Sequence, residues 1–175
     1  MKIVLLGYMG SGKSTVARSL AEKMHMAAID LDDYISSNEK MSIAELFSQK
    51  GEIYFRKIEA HYLKELLLEK EDLVIALGGG TPCYGNNIQE ILKGSISVYL
   101  KAAIKTLAER LEKEKPGRPL IAGLPENGLE EFIAKHLFER RSYYEQANHI
   151  VSTDGKTVEN IVEEISSLIQ IGNCF

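Results

Sequence analysis

The sequence predicts a parallel α/β domain, and three observations lead to this prediction. Short apolar runs recur along the chain and are continuous rather than alternating, which is typical of parallel strands covered on both faces. Segments with helical periodicity separate these runs, so we expect right-handed crossover helices between successive strands. The chain has 175 residues, the length of one domain with a single substantial core.

The apolar runs at 2–6, 27–30, 73–77, 96–100 and 149–152 are the predicted strands. Between the second and third runs there is room for more than one helix. Ser42 and Glu45 have the spacing of a capping box, which opens a short helix that Gly51 ends. A longer helix is expected to follow, up to about Glu69. We interpret residues 31–70 as a substrate-binding excursion from the sheet.

A second excursion covers residues 112–128. It begins with alternating Glu and Lys residues and contains three of the chain's four prolines, together with several glycines. This composition is typical of a mobile surface segment rather than a packed element. We therefore predict one domain over residues 1–175 with a mobile lid at about 112–128.

Composition excludes several classes of protein. Lys and Arg number 21 and Asp and Glu number 25, so the net charge is −4, without the basic character of a dedicated nucleic-acid binder. No apolar run has the length of a membrane span, and no cleavable signal is evident. Cys83 and Cys174 are interpreted as free thiols, and the four histidines lack metal-ligand spacing. We expect a cytoplasmic protein without nucleic-acid or membrane partners.

Residues 7–15 match the phosphate-binding pattern G-x-x-x-x-G-K-[ST] and stand between a predicted strand and a predicted helix. Backbone N–H groups of such a loop surround phosphates, and the start of the helix adds more of them. Lys13 is expected to reach the β- and γ-phosphates, and Ser14 to ligate Mg²⁺. The predicted nucleoside-triphosphate contacts in the loop are Gly10, Ser11, Gly12, Lys13, Ser14 and Thr15. A chance glycine-rich turn is the alternative, and both flanks argue against it.

Acidic residues follow the second predicted strand. In open α/β sheets, ligands bind beyond the carboxyl ends of the strands. We expect Asp30 to hold Mg²⁺ directly or through water, and Asp32 to face the hydroxyl group that attacks the γ-phosphate. The alternative is that these acids only favour the start of the next helix, which is our interpretation of Asp33.

Three glycines, Gly78, Gly79 and Gly80, follow the third predicted strand. Glycines at a strand end allow a ligand to approach the backbone closely. A flexible turn is the alternative interpretation. Because this strand end is expected beside the phosphate loop, we predict a ligand contact.

Helical periodicity places one arginine beside a carboxylate on an apolar face. At 100° per residue, Glu59 falls in the middle of the apolar arc of residues 55–67, with Arg56 toward its edge. A carboxylate on such a face needs a partner, so Glu59 is expected to orient Arg56. A local surface ion pair, which contributes little to stability, is the alternative.

The same periodicity separates two neighbouring arginines in residues 129–147. Arg140 lies within the apolar face of this predicted helix, and Arg141 lies well outside it. An inward arginine either extends its charge back to water or holds a buried anion. With Arg56 also facing inward, we favour an anion, and a substrate carboxylate suits the guanidinium fork.

Two further arginines are candidates for nucleotide contacts. Arg118 in the predicted lid is placed to close over the phosphates during transfer, and Arg110 to stack on the adenine face. For both residues a solvated surface charge is the alternative.

Together these segments resemble the shikimate kinases, small P-loop kinases of the nucleoside-monophosphate-kinase-like group. The matching segments are 7–15, 30–32, 51–59, 78–80, 118–120 and 140–144, in the family's order over essentially the whole chain. The phosphate loop is shared by many families. The other segments taken together, Asp-x-Asp, Phe-Arg-x-x-Glu, the three glycines and the late arginine, are much more specific to this family. Two departures are the Arg-Arg-Ser-Tyr-Tyr segment at 140–144, where the family often has Arg-x-Pro-Leu-Tyr, and Ala28-Ile29, where an aromatic residue commonly precedes the acids.

The resemblance implies ATP-dependent phosphorylation of the 3-hydroxyl of shikimate, in the route to chorismate and the aromatic amino acids. It implies a P-loop NTPase-type fold with a five-stranded sheet in the order 2-3-1-4-5, and a monomer. Ser14 and Asp30 would serve Mg²⁺ and Arg118 would be the lid arginine. The residues that would hold shikimate are Asp32, Arg56, Gly78, Gly79, Gly80 and Arg140, and those with a catalytic role are Lys13, Asp32 and Arg118.

Three other interpretations were weighed. A P-loop kinase of another carboxylated polyol, such as gluconate, would use the same acids and arginines. A regulatory GTPase would need N-K-x-D and D-x-x-G signals, which the sequence lacks. A nucleotide-binding module without catalysis remains as an interpretation of a different class, although Lys13, Ser14, Asp30 and Arg118 are all present.

Overall fold

A parallel sheet forms the centre of the computed structural model, which describes residues 1–114, 121, 123, 125 and 128–172. Its strands are β1 (Lys2–Leu6), β2 (Ala27–Asp30), β3 (Leu73–Ala76), β4 (Ile96–Lys101) and β5 (His149–Ser152). Their order is β2-β3-β1-β4-β5, and every neighbouring pair is parallel. The predicted fold class is confirmed, as is the strand order that the resemblance implied.

Helices cover both faces of the sheet. They are α1 (Lys13–Met24), α2 (Leu31–Glu39), α3 (Ile43–Glu45), α4 (Glu52–Leu68), α5 (Asn87–Gly94), α6 (Ile104–Glu114), α7 (Leu129–Tyr144) and α8 (Val158–Gly172). Successive side chains of a strand point to opposite faces, so β1 contributes Ile3 and Leu5 to one core and Val4 and Leu6 to the other. Helices α1 and α8 pack in the first core. Helices α2, α4, α5, α6 and α7 pack in the second.

Burial of the strands differs from the sequence-based expectation at the two edges. All residues of β1 and β3 are buried, as expected of strands covered on both faces. In β2, however, Ala27 and Ala28 are exposed, and in β5 Ile150 keeps 47% of its surface exposed. The expectation was wrong for these strands because the order of the sheet places them at its edges, where one side has no neighbouring strand.

The excursion between β2 and β3 contains the predicted capping box. The backbone N–H of Ser42 donates to the Glu45 carboxylate at 2.8 Å, and the backbone N–H of Glu45 donates to the Ser42 hydroxyl at 3.3 Å. Helix α3 has only three residues and continues as a π-helical turn, Leu46–Lys50, which the sequence did not indicate. The turn ends at Gly51, as expected, and the longer helix α4 follows.

The predicted lid falls mostly outside the described residues. Residues 112–114 form the end of α6, and Arg118 belongs to the segment 115–120 that the structure does not describe. Within the described part of the chain, none of the helices is both long and apolar enough to cross a bilayer.

Candidate active site

The phosphate loop joins β1 to α1. Gly12, directly before the helix, has a φ of 92°, a left-handed conformation that glycine adopts without steric cost. The ammonium group of Lys13 donates to the carbonyl oxygens of Gly7 and Tyr8, at 2.9 and 2.8 Å. The lysine side chain therefore lies back over its own loop, where its charge faces the space that the loop encloses.

A cavity of about 500 Å³ opens at this loop. It is lined by residues 9–16 and by Asp30, Asp32, Leu77, Gly78, Gly79, Arg110, Thr153, Lys156, Val158 and Ile161. The sequence analysis missed the last four residues, because the segment after β5 carries no recognisable motif. Its position was the available signal, since ligands bind beyond the carboxyl ends of parallel strands.

Asp30 connects the phosphate loop to α2. Its Oδ2 atom accepts a hydrogen bond of 2.6 Å from the hydroxyl of Ser14. Its Oδ1 atom accepts from the backbone N–H of Asp32 at 3.1 Å and thereby caps α2. The Ser14 hydroxyl and the Asp30 carboxylate are oxygen donors of the kind that suits Mg²⁺.

Asp32 lies in the first turn of α2, and its carboxylate faces the end of β3. Burial raises the pKa of Asp32 to about 6, with further contributions from the negative charges of Asp30 and Glu59. Its neighbour Asp33 is exposed. The two acids therefore have different environments, with Asp32 directed toward the cavity and Asp33 at the surface.

The triple-glycine turn lies where the acids and the arginines come together. A side-chain carbon added to Gly78, Gly79 or Gly80 would lie 3.0 Å from Asp32, 3.7 Å from Arg140 and 3.2 Å from Arg56, respectively. The carbon on Gly79 would also lie 3.2 Å from the backbone nitrogen of Met9, in the phosphate loop. A larger residue at Gly78 or Gly80 would press against Asp32 or Arg56, and one at Gly79 would press against the backbone of the phosphate loop.

Arg56 is anchored by a buried carboxylate. One of its terminal nitrogens donates to Oε2 of Glu59 at 2.9 Å, and Glu59 is only 1% exposed. The other carboxylate oxygen of Glu59 accepts a bond of 2.7 Å from the hydroxyl of Thr81. The prediction that Glu59 orients Arg56 is confirmed, and the alternative of a surface ion pair is wrong.

Arg140 faces inward from α7. The hydroxyl of Tyr144, one turn further along the helix, donates a hydrogen bond of 2.5 Å to the carbonyl of Gly79. The central carbon of the Arg140 guanidinium lies 5.7 Å from the ring centroid of Tyr8, in the phosphate loop. Arg141 points away, with 67% of its side chain exposed and a surface pair to Glu145 at 2.6 Å. The helix phase predicted from sequence is therefore confirmed for both arginines.

Arg110 reaches the cavity from α6. One of its terminal nitrogens donates to the carbonyl of Gly10 in the phosphate loop at 3.1 Å. Arg110 is thus part of the cavity wall rather than a purely solvated charge. Its stacking on a nucleotide base stays a prediction, as does the role of Arg118.

The fold and the site together define the class of protein. A phosphate loop between a strand and a helix shares its cavity with Asp30, the last residue of strand β2, and with Asp32, which follows that strand. Beside this cavity, Arg56 and Arg140 lie against a turn of three glycines. This is the arrangement of a P-loop kinase that acts on a small molecule.

Comparisons with known proteins identify the family. A family model described as shikimate kinase matches residues 9–170. A shikimate kinase of Flavobacterium johnsoniae is 50% identical over 169 residues, which are 96% of this chain and 98% of the relative. The chain belongs to the shikimate kinase family.

Solved structures agree with this assignment. The crystal structure of shikimate kinase from Bacteroides thetaiotaomicron matches with a TM-score of 0.91 and 33% identity, over 97% of this chain and 98% of that one. A structure of the Acinetobacter baumannii enzyme in complex with shikimate matches with a TM-score of 0.88 and 30% identity, over 98% of this chain and 93% of that one.

Proposed function

We propose that this protein transfers the γ-phosphoryl group of ATP to the 3-hydroxyl of shikimate, giving shikimate 3-phosphate and ADP, within the biosynthesis of chorismate and the aromatic amino acids. Membership of the shikimate kinase family supports this function. The observation that carries it is the convergence of Asp32, Arg56 and Arg140 on the three glycines beside the phosphate-loop cavity.

The nucleotide phosphates would bind to the phosphate loop. Phosphoryl transfer requires mainly positioning and stabilisation of charge, and backbone N–H groups around a loop provide both. Lys13, which donates to the carbonyls of Gly7 and Tyr8, would contact the transferred phosphoryl group. Arg110 would contact the nucleotide from α6, and Arg118 would reach the phosphates when the lid closes.

Ser14 and Asp30 are the residues that would hold Mg²⁺. Their hydroxyl and carboxylate oxygens lie 2.6 Å apart at the wall of the cavity. When bound to such oxygens and to phosphate, this ion neutralises the charge that develops during transfer.

The acceptor would bind at the glycine turn, beside the space for the nucleotide phosphates. Arg56 and Arg140 carry guanidinium forks that match a carboxylate, and two such groups suit the carboxylate of shikimate. Asp32 would accept a hydrogen bond from the 3-hydroxyl and so direct its oxygen toward the γ-phosphate. The weakly acidic composition supports a protein without a nucleic-acid partner. A cytoplasmic monomer is what the family resemblance implies.

A coupled assay of ADP release tests this function. The purified protein with ATP and Mg²⁺ is offered shikimate, quinate, gluconate or no acceptor. We expect shikimate to stimulate ADP release strongly over the rate without acceptor, and gluconate to leave that rate nearly unchanged. Equal rates with shikimate and gluconate, or stimulation by neither, would contradict the proposed function.

Gly80→Ala should weaken acceptor binding without unfolding the protein. Gly80 has a φ of −90° and a ψ of −19°, which alanine adopts freely, yet the new carbon would lie 3.2 Å from both terminal nitrogens of Arg56. The guanidinium must shift by a few tenths of an ångström. A displacement of about 1 Å can lower a rate by up to about 100-fold. Because this shift is smaller, we expect kcat/KM for shikimate to fall by about three- to tenfold, while the Tm stays near that of the wild type.

Gly94→Ala is the matched control for this substitution. Gly94 ends α5, and a carbon added there makes its first contact at 3.5 Å, with Leu67. Kinetic constants of Gly94→Ala should equal those of the wild type. An unchanged kcat/KM in Gly80→Ala would show that Arg56 does not bind the acceptor in the orientation that the structure shows.

A further inference from the structure

Tyr84 stacks on the arginine that we assign to the acceptor carboxylate. It follows the 3₁₀ turn Thr81–Cys83, and the central carbon of the Arg56 guanidinium lies 3.8 Å from the centroid of its ring. The rings of Phe55 and Phe47 are further from this carbon, at 5.2 and 5.7 Å. Of these three rings, Tyr84 therefore makes the close contact with the guanidinium face.

The hydroxyl of Tyr84 extends the contact to a second carboxylate. It donates to Oε1 of Glu52 at 3.0 Å, and the same oxygen lies 3.4 Å from Nε of Arg56. Glu59 holds the guanidinium at another nitrogen, at 2.9 Å. Arg56 is thus held by Glu52 and Glu59 in the guanidinium plane and by the Tyr84 ring on its face.

This arrangement has a consequence for anion binding. A long side chain normally loses rotamer freedom when it binds a ligand, and this loss weakens binding unless the side chain is already ordered. A stacked ring orders the guanidinium through its face and leaves N–H groups in its plane for a carboxylate. The Arg56 side chain remains 19% exposed, so these contacts do not enclose it completely.

We propose that Tyr84 is a positioning residue for the acceptor, which keeps the Arg56 guanidinium in the orientation that receives a carboxylate. Tyr84 acts by stacking its ring on the Arg56 guanidinium, and its hydrogen bond to Glu52 fixes the orientation of the ring. The inference rests on the proposed function, in which Arg56 binds the carboxylate of shikimate.

Three substitutions test the proposal by steady-state kinetics. Tyr84→Leu removes the ring, and we expect the KM for shikimate to rise about tenfold while kcat and the KM for ATP stay within about twofold. Tyr84→Phe keeps the ring and should change the KM for shikimate by no more than about threefold. A rise of the KM values for both substrates together, or an unchanged KM for shikimate in Tyr84→Leu, would overturn the proposal.

Tyr54→Leu is the matched control. Tyr54 is 37% exposed, as is Tyr84, and its hydroxyl also donates to a glutamate, Glu39, at 3.0 Å. It lies on α4 near Arg56 in sequence, yet its ring is not among those stacked on that guanidinium. Its kinetic constants should match those of the wild type.

A double-mutant cycle separates action through Arg56 from a general effect on the fold. In an Arg56→Ala background the added Tyr84→Leu change should alter the KM for shikimate by less than about twofold, because the group that Tyr84 orients is absent. A full tenfold effect in that background would overturn the proposal.

A measurement without substrate distinguishes failure of this inference from failure of the proposed function. Nitrogen-15 relaxation of the Arg56 Nε–H group should show a rigid side chain in the wild type and in Tyr54→Leu, and a mobile one in Tyr84→Leu. A rigid Arg56 in Tyr84→Leu would overturn the inference even if shikimate is the substrate. If the wild type does not phosphorylate shikimate, the proposed function fails, while the loss of rigidity in Tyr84→Leu would still support the positioning role for a carboxylate.

Discussion

Replacing Asp32 with asparagine is expected to lower kcat for shikimate phosphorylation by about 10²–10⁴-fold, the usual contribution of a positioned acid–base group. The amide keeps the size of the side chain but is a poor acceptor for the hydroxyl proton. The backbone N–H that binds Asp30 is unchanged, so the start of α2 should stay in place. Because Asp32 faces the acceptor, the KM for ATP should change little.

Asp33→Asn is the internal control for this experiment, since Asp33 is exposed in the same turn of α2. Its kcat should stay near the wild-type value. If Asp33→Asn proved more damaging than Asp32→Asn, the assignment of the acceptor side would be wrong.

The same substitution should make the protein more stable. Burial raises the pKa of Asp32 from 3.8 to about 6. Between these pH values the folded protein keeps a proton that the unfolded chain has released, so the free energy of unfolding falls as pH rises through this window. One pKa unit corresponds to 1.36 kcal/mol, so Asp32→Asn should add up to about 3 kcal/mol at pH 7.5. The gain should fade below about pH 4, which urea unfolding in EDTA would measure.

Arg140→Ala should raise the KM for shikimate by about 30-fold or more. Removing one member of a buried charged pair costs about 2–5 kcal/mol, part of which is the penalty for leaving the partner charge unpaired. A carbon added to Gly79 would lie 3.7 Å from a terminal nitrogen of Arg140, so this guanidinium lies directly at the glycine turn. Its loss should affect the acceptor far more than ATP, as initial-rate kinetics with each substrate varied would show.

Arg141→Ala provides the comparison for Arg140→Ala. Arg141 forms an exposed pair with Glu145, four residues along the helix, and such pairs contribute only about 0.3–0.5 kcal/mol to stability. The KM for shikimate should be unchanged in this variant. A larger effect from Arg141→Ala than from Arg140→Ala would contradict the orientation of α7.

Local periodicity was sufficient to predict several parts of the site. Continuous apolar runs located the strands to within one residue, because buried parallel strands need apolar side chains on both faces. Helix phase separated Arg140 from Arg141 and placed Glu59 inside α4, since the 3.6-residue repeat fixes which side chains share a face. Strand order, by contrast, followed only from the family resemblance, because several orders accommodate the same set of buried strands.

Contacts between distant segments could not be predicted in this way. Thr153 and Lys156 line the cavity because β5 pairs with β4, a relation that no local pattern contains. The stack of Tyr84 on Arg56 joins the turn after β3 to α4, and no local pattern around Tyr84 indicates this contact. The π-helical turn Leu46–Lys50 needs one additional residue per turn, and packing rather than helix propensity selects such a turn.

The two hydrogen bonds of Asp30 have an evolutionary consequence. The carboxylate of Asp30 is hydrogen-bonded both to Ser14 of the phosphate loop and to the turn that carries Asp32. The loop that we assign to the nucleotide is therefore connected directly to the residue that we assign to the acceptor hydroxyl. The arginines that we assign to the acceptor come from α4 and α7 instead. Substitutions on those two helices can therefore alter which alcohol is recognised while the alignment for transfer is inherited intact. The architecture makes substrate choice and reaction geometry separately evolvable.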